Sequence, residues 1–251
     1  MIQENDFCDD LSLLNKPADF MEGKMLLVDK PLDWTSFDVV KKIRAGLRRG
    51  LKIKKIKVGH AGTLDPLASG LVIMCIGKAT KNIDGLMGWP KTYEAKVKLG
   101  MTTPSFDLET ETDYTFATGH ITEERIREVL KSFRGEQLQV PPQYSAIKIG
   151  GKRAYDMARC GEAFEMNARN VTFHGLELLG FENMEATIRI ECSKGTYIRS
   201  FARDLGTAVE SGGFLTGLRR TAIGPAKVEN ALSINDVERQ MEALKENFLI
   251  S

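Results

Sequence analysis

The stretch from Val58 to Ile76, VGHAGTLDPLASGLVIMCI, sets the tightest limits on how this chain can fold. Its second half is an unbroken apolar run at residues 71–76, closed on either side by Gly70 and Gly77. A run that short and that apolar reads as a buried strand rather than a helix. The first half reads as a loop, because Gly59, Gly62, Gly70 and Pro66 allow tight turns and a close approach of backbone to ligand. One carboxylate, Asp65, is thereby held just ahead of a buried strand, and a rigid element behind a loop residue is how folds fix a reactive group. Taken alone, Asp before Pro is a turn starter that bonds its own backbone.

A chain of 251 residues, 42% hydrophobic and 27% charged, buries one sizeable core as a single domain or as two lobes. No apolar run reaches membrane-spanning length, and the acidic opening MIQENDFCDDLSLLNKPADF lacks the basic-then-apolar order of a signal peptide. A cytoplasmic protein with no membrane partner is expected. Cys8, Cys75, Cys160 and Cys192 form no C-x-x-C pair, and His60, His120 and His174 complete no zinc-like spacing, so the cysteines read as free, mostly buried thiols.

Net charge is +1 and carries no nucleic-acid signal, but its distribution does. From residue 41 to 57 the chain reads KKIRAGLRRGLKIKKIK, basic at 41, 42, 44, 48, 49, 52, 54, 55 and 57 with no acid between. A solvated helix face mixes signs, so a run this one-sided points to a phosphate-facing patch, with Lys54, Lys55 and Lys57 as candidate contacts. The phrase Gly77-Lys78-Ala79-Thr80 is not a phosphate loop, since Val72 stands where the leading glycine must be and Ala79 where Ser or Thr is needed.

In chain order, residues 24–29 form a first strand closed by Lys30-Pro31. Trp34-Thr35-Ser36 then caps a helix with Val40, Ile43 and Leu47 at helical spacing. Residues 91–99 alternate, with Tyr93, Ala95, Val97 and Leu99 on the buried face. Residues 103–120 are polar and irregular and read as a mobile loop. A helix follows from Thr122, with Ile126, Val129, Leu130 and Phe133 as its stripe and Gly135 as its end. In VPPQYSAIKIGGKRAYDMARCG the prolines force an extended entry, Gly150-Gly151 a tight turn, and residues 152–159 a short helix. Residues 186–192 alternate with Ile188, Ile190 and Cys192 inward. Thr196 then caps a helix buried through Ile198, Phe201, Ala202 and Leu205, with Arg199 and Arg203 one turn apart. Ser233 to Asp236 is a capping box for a last helix to about residue 246.

The string GHAGTLDPLASGL resembles the signature of pseudouridine synthases of the TruB family, which modify uridine 55 in the T loop of transfer RNA. VDKPLDWTSFDVV resembles the family's first motif, KTYEA its second, GTYIRSFARDLG its third, and PPQYSAIK its P-P-x-x-S-A-x-K element. The resemblance covers about residues 24–225 with the motifs in family order. It implies an α+β fold with a central mixed, largely antiparallel sheet flanked by helices. It also implies a catalytic role for Asp65, a buttressing one for Lys30, and for His60 a wedge filling space left by the extruded base. By the same resemblance Tyr93 stacks on the flipped uracil, Tyr197 closes the pocket, Arg199 pairs with the catalytic aspartate, and Leu218 lines the pocket. Lys148, Lys152, Arg153 and Arg159 are candidate contacts along the RNA backbone.

The implied reaction flips a uridine out of the T arm, breaks its bond from base nitrogen to ribose, rotates the uracil and rejoins it through carbon. Three roles are open to the Asp65 carboxylate: addition to the sugar, addition to the base, or removal of a ribose proton. No metal or organic cofactor is expected, since the base stays bound and no redox change occurs, and a monomer acting on tRNA is expected. The expected organisation is an acidic extension at residues 1–23, a catalytic domain at 24–225 and a helical tail at 226–251 without room for a complete PUA domain. Two rivals are a noncatalytic RNA-binding protein on this scaffold, which intact Asp65, Tyr93 and Arg199 disfavour, and a related synthase acting on another RNA.

Overall fold

The structure, a computed structural model, describes residues 7–8 and 17–247. Most of the acidic extension expected over residues 1–23 therefore lies outside the described residues. In chain order the elements are α1 (Pro17–Glu22), β1 (Lys24–Lys30), α2 (Ser36–Gly50), β2 (Val58–Ala61), β3 (Ala68–Ile76), α3 (Ile83–Met87), β4 (Lys91–Leu99), β5 (Met101–Thr102), β6 (Tyr114–Thr115) and α4 (Glu123–Ser132). There follow β7 (Gly135–Gln139), β8 (Lys148–Ile149), β9 (Lys152–Arg153), α5 (Ala154–Arg159), β10 (Arg169–Glu182), β11 (Glu185–Cys192), α6 (Ile198–Ala208), β12 (Gly213–Ile223), β13 (Ala226–Lys227), β14 (Leu232–Ser233) and α7 (Ile234–Asn247). The chain divides into two compact units, Met1–Lys91 with Arg219–Ser251, and Thr92–Leu218.

In the first unit, β1 runs antiparallel to β3 from Lys24↔Ile76 to Lys30↔Gly70 and parallel to β14. β2 pairs with the C-terminal half of β3, and β13 pairs with the end of β12. β3 is apolar on both faces because it is paired on both edges and covered on both sides; Leu71 through Ile76 are wholly buried. Met25, Leu27, Ala61, Leu71, Ile73 and Cys75 pack with Leu86, Ile223 and Ala226 into one cluster. The helix α2 begins as its sequence predicts: Thr35 and Asp38 form a reciprocal capping box, and Val39, Val40, Ile43 and Leu47 are buried. It lies so close to α7 that a Cβ at Gly46 would stand 2.9 Å from Met241 Cγ. An ion pair between Lys42 and Glu238 joins the same two helices, so one cation of the one-sided basic run has an acid partner from far along the chain.

In the second unit the strand order is β4-β11-β10-β7, with Gly213–Leu218 of β12 on the other side of β4. β4 alternates as expected, burying Tyr93, Ala95, Val97 and Leu99. β10 and β11 form a hairpin in which Leu176 faces Ile190 and Leu178 faces Ile188, turned by Asn183 and Met184 at φ 49° and 59°. Phe201 of α6 packs edge-on against Phe133 at 5.6 Å and tilted against Phe173 at 5.3 Å.

Four local readings change. Val58–Ala61 is a strand and not part of the loop, because β3 offers it a full antiparallel register. The segment 103–120, read as a mobile loop, carries β6, which pairs back on β5 just ahead of the segment, and buries Thr103, Ser105 and Asp107. Lys152 and Arg153 pair back across the Gly150-Gly151 turn, which delays the helix to Ala154. Thr196 does not cap α6; its hydroxyl donates to the Ser193 carbonyl at 2.9 Å. Of the cysteines, Cys75 and Cys192 are buried but Cys160 is exposed, and burial pushes the Cys75 thiol up to about 12.

Candidate functional site

The loop of residues 62–67 is built into the first unit by side chains distant in sequence. Arg220, 1% exposed, donates from Nε to the Leu71 carbonyl at 2.7 Å and from its two terminal nitrogens to the Thr63 and Gly62 carbonyls at 3.3 and 3.1 Å. Ser36 Oγ accepts from the Leu64 amide at 2.8 Å and donates to the Leu64 carbonyl at 3.2 Å. The Asp33 amide donates to the Pro66 carbonyl at 2.9 Å, and the Ala68 amide closes a turn on the Asp65 carbonyl at 3.1 Å. Two glycines are needed here for different reasons. Gly62 takes φ 99°, and a Cβ on Gly70 would fall 2.3 Å from the Arg220 carbonyl oxygen. The result is a half-buried Asp65 whose backbone is tied down on both sides.

Lys30 and His60 share that neighbourhood. Lys30 is fully buried, and its Nζ donates to the Pro31 and Trp34 carbonyls at 2.9 and 2.6 Å, bracing the turn between β1 and α2. Burial pushes its ammonium from 10.5 down to about 8; the charges of Asp65, Asp33 and Asp29 oppose this and that of Arg220 adds to it. Burial likewise pushes the His60 imidazole down, with the Gly62 backbone opposing and Arg220 adding. His60 Nδ1 is buried with no hydrogen-bond partner among the described residues. Between pH 8 and 10.5 the unfolded chain holds a proton on Lys30 that the folded chain lacks, so stability rises with pH across that window, whereas below pH 8 the full cost of burying the cation applies. Denaturant titrations at pH 7 and 10 should show the parent gaining up to about 3 kcal/mol relative to Lys30→Met, at about 1.4 kcal/mol per pKa unit. Equal gains in both proteins would show that Lys30 keeps its ordinary pKa.

In the second unit, α6 holds two of the anticipated side chains at its N-terminal end. Buried Gln139 grips the backbone of Tyr197, accepting from its amide at 2.8 Å and donating to its carbonyl at 3.1 Å. Ser200 and Arg203 both donate to the Val140 carbonyl, at 2.8 and 3.2 Å, fixing the chain just ahead of Pro141-Pro142. Arg199 is buried with its Nε 3.6 Å from the Asp107 carboxylate, itself buried. Asp107 is held in turn by the Glu109 amide at 2.9 Å, and its carbonyl accepts from Thr103 and Ser105. Tyr93 lies in the buried row of β4, and Leu218, half-buried, ends this unit's share of β12.

The basic candidates fall into two groups. Lys54, Lys55 and Lys57 are exposed in the first unit with no carboxylate partner among the described residues, and Lys148 and Arg153 are exposed in the second. Lys152 and Arg159 are already paired, with Glu162 at 3.2 Å and Glu109 at 3.1 Å. Glu109 also accepts from the Tyr155 hydroxyl at 2.8 Å. Arg220, Gln139 and Asp107 escaped the reading of the sequence. Arg220 alone left a trace, since adjacent arginines in a strand must point to opposite faces. Arg219 accordingly turns to Asp29, binding it through two nitrogens at 3.0 and 2.7 Å. No three His, Cys, Asp or Glu side chains converge on a metal-sized site among the described residues, and no described helix is long and apolar enough to cross a membrane.

Comparison with known proteins gives a consistent picture. Residues 48–198 match the model of the TruB family pseudouridylate synthase N-terminal domain. The tRNA pseudouridine synthase B of Phocaeicola vulgatus is 54% identical over 215 residues, covering 86% of this chain and 92% of that protein. That of Flavobacterium johnsoniae is 49% identical over 227 residues, covering 90% and 99%. Among solved structures, a Cbf5-Nop10-Gar1 complex superposes with a TM-score of 0.66 at 26% identity, over 98% of this chain and 68% of that one. An H/ACA RNP bound to a substrate RNA containing 2'-deoxyuridine superposes at 0.63 and 25% identity, over 98% and 68%.

Proposed function

The chain belongs to the TruB family of pseudouridylate synthases, and from that premise we propose that it converts uridine to pseudouridine at position 55 in the T loop of tRNA, with Asp65 carrying the chemistry. The observation that carries this reading is the braced loop. Arg220, Ser36 and the Asp33 amide clamp residues 62–66 on both sides of a carboxylate that is left half-buried. A group held that firmly has already paid the ordering cost that a reaction in a loop would otherwise meet. The conversion breaks the N1–C1' bond of the uridine, turns the uracil and forms a C5–C1' bond. The C5 hydrogen leaves to solvent as a proton and N1 gains one, so nothing is oxidised or reduced.

The roles given above to His60, Tyr93, Tyr197, Arg199, Leu218 and Lys30 are part of this proposal. So is a catalytic domain over residues 24–225 working as a monomer in the cytoplasm. The T arm as target is supported by the likeness of the His60 loop and of the Pro141 to Lys148 element to the family's motifs. Lys54, Lys55, Lys57, Lys148 and Arg153 meet phosphates directly, while Lys152 and Arg159 do so only on leaving Glu162 and Glu109. Extruding the base costs a few kcal/mol, which these contacts and stacking must offset.

The test is a hairpin RNA that contains only the T stem and loop. It should be converted at one uridine, at a rate comparable with that of the whole tRNA, and cytidine at that place should abolish product. Conversion of whole tRNA at a site outside the hairpin would overturn the T-arm assignment.

A further inference from the structure

The turn between β1 and α2 leaves apolar and aromatic side chains in solvent beside the Asp65 loop. Leu32 is 55% exposed, Phe37 51% and Leu67 37%. Trp34, half-buried, lines a shallow cavity of about 430 Å³ together with Asp33, Asp38, Lys41 and Lys42. Large apolar side chains grouped in solvent mark a surface that something covers. This surface is also firmly supported. Lys30 bonds the Pro31 and Trp34 carbonyls, the Thr35–Asp38 box fixes the first turn of α2, and Asp33 is held at φ 64° with its amide on Pro66. Ser36, next to Phe37, is bonded to Leu64 through both amide and carbonyl. The Asp65 loop and this turn therefore adjoin.

We propose that Phe37 and Trp34 form a stacking platform for an unpaired base of the substrate RNA adjacent to the uridine delivered to Asp65. The inference rests on the function proposed above. Three observations favour a nucleobase as the occupant. The turn that carries the platform is hydrogen-bonded to the loop that receives the uridine, through the Asp33 amide and the Ser36 hydroxyl, so it is continuous with the site where RNA must lie. A cation stands at one of its rings, Lys41 Nζ lying 4.9 Å from the centre of the Phe37 ring, which suits a base joined to a phosphate. RNA loops are recognised by splaying unstacked bases onto exposed aromatic rings. An apolar peptide would need the area but not the adjoining lysines.

The test is a double-mutant cycle between protein and RNA. Phe37 is 51% exposed in the first turn of α2 and is not among that helix's buried residues, so Phe37→Ala is expected to keep the fold, and Phe37→Tyr restores a ring. Binding of T-arm hairpins is measured with the parent hairpin and with hairpins abasic at each unpaired position in turn. Phe37→Ala is expected to weaken binding of the intact hairpin about tenfold. One abasic hairpin should lose as much with the parent and almost nothing further with Phe37→Ala, and Phe37→Tyr should bind like the parent. Additive losses at every position, or Phe37→Ala binding like the parent, would overturn the platform while the parent's conversion of uridine still stands. A parent that neither binds nor converts the hairpin would overturn the function and the platform together.

Discussion

Arg220→Met should cost the protein about 3 to 5 kcal/mol of folding stability and most of its activity. The side chain is 1% exposed and its three nitrogens satisfy the carbonyls of Leu71, Thr63 and Gly62. Met fills much of the same volume but donates nothing, so the buried Leu71 carbonyl and the part-buried Gly62 and Thr63 carbonyls lose this partner, a buried one at about 1–3 kcal/mol. In a chain of this size that lowers the melting temperature by about 10 °C or more. Arg220→Lys should recover only part of the loss, because one ammonium on a flexible stem cannot reach three carbonyls spread over the loop and β3. A melting temperature for Arg220→Met within a degree of the parent's would mean that the loop is held by something other than this guanidinium.

Asp65→Asn should reduce turnover by on the order of 10³-fold or more while leaving RNA affinity within about twofold. Asn has nearly the shape of Asp and suits the same turn, so the Ala68 amide keeps its bond to the residue-65 carbonyl and the Ser36 and Arg220 clamps are untouched. What disappears is the charge, and with it the basic, nucleophilic oxygen needed for each of the three roles open to the carboxylate. Lys30, which loses the leading charge that holds its ammonium up, should titrate lower in the variant. A kcat within tenfold of the parent's would remove Asp65 from the chemistry, and a parallel collapse of RNA affinity would mark it as a binding group instead.

These two residues also show what a sequence makes legible. Asp65 stood out because glycines, a proline and a short apolar run lie within a few positions of it, and all of that signal is local. The same holds for the Thr35 cap, the α2 stripe and the alternation of β4, each set by periodicity over a handful of residues. Arg220 was invisible because its partners lie some 150 positions away, and only the sheet brings them together. Asp107 was hidden for a different reason. It sits in a polar segment without period, whose order comes from side chains bonding their own loop and from the buried arginine it faces. Nothing in the residues around Lys30 marks it as buried, yet two carbonyls at the turn it starts draw its ammonium inward. Thr196 and the Lys152-Arg153 pair went the other way: their local signals were real, but a nearby carbonyl and a hairpin partner offered better bonds.

The most direct measurement is the release of tritium from uracil C5 when a labelled tRNA transcript is incubated with the parent protein and with Asp65→Asn. Forming the C5–C1' bond expels that hydrogen, so release counts conversions without depending on any later step. Release is expected from a single T-loop uridine with the parent, and none with a variant that still binds the RNA. Binding without release by the parent, or release by Asp65→Asn at the parent's rate, would contradict that expectation.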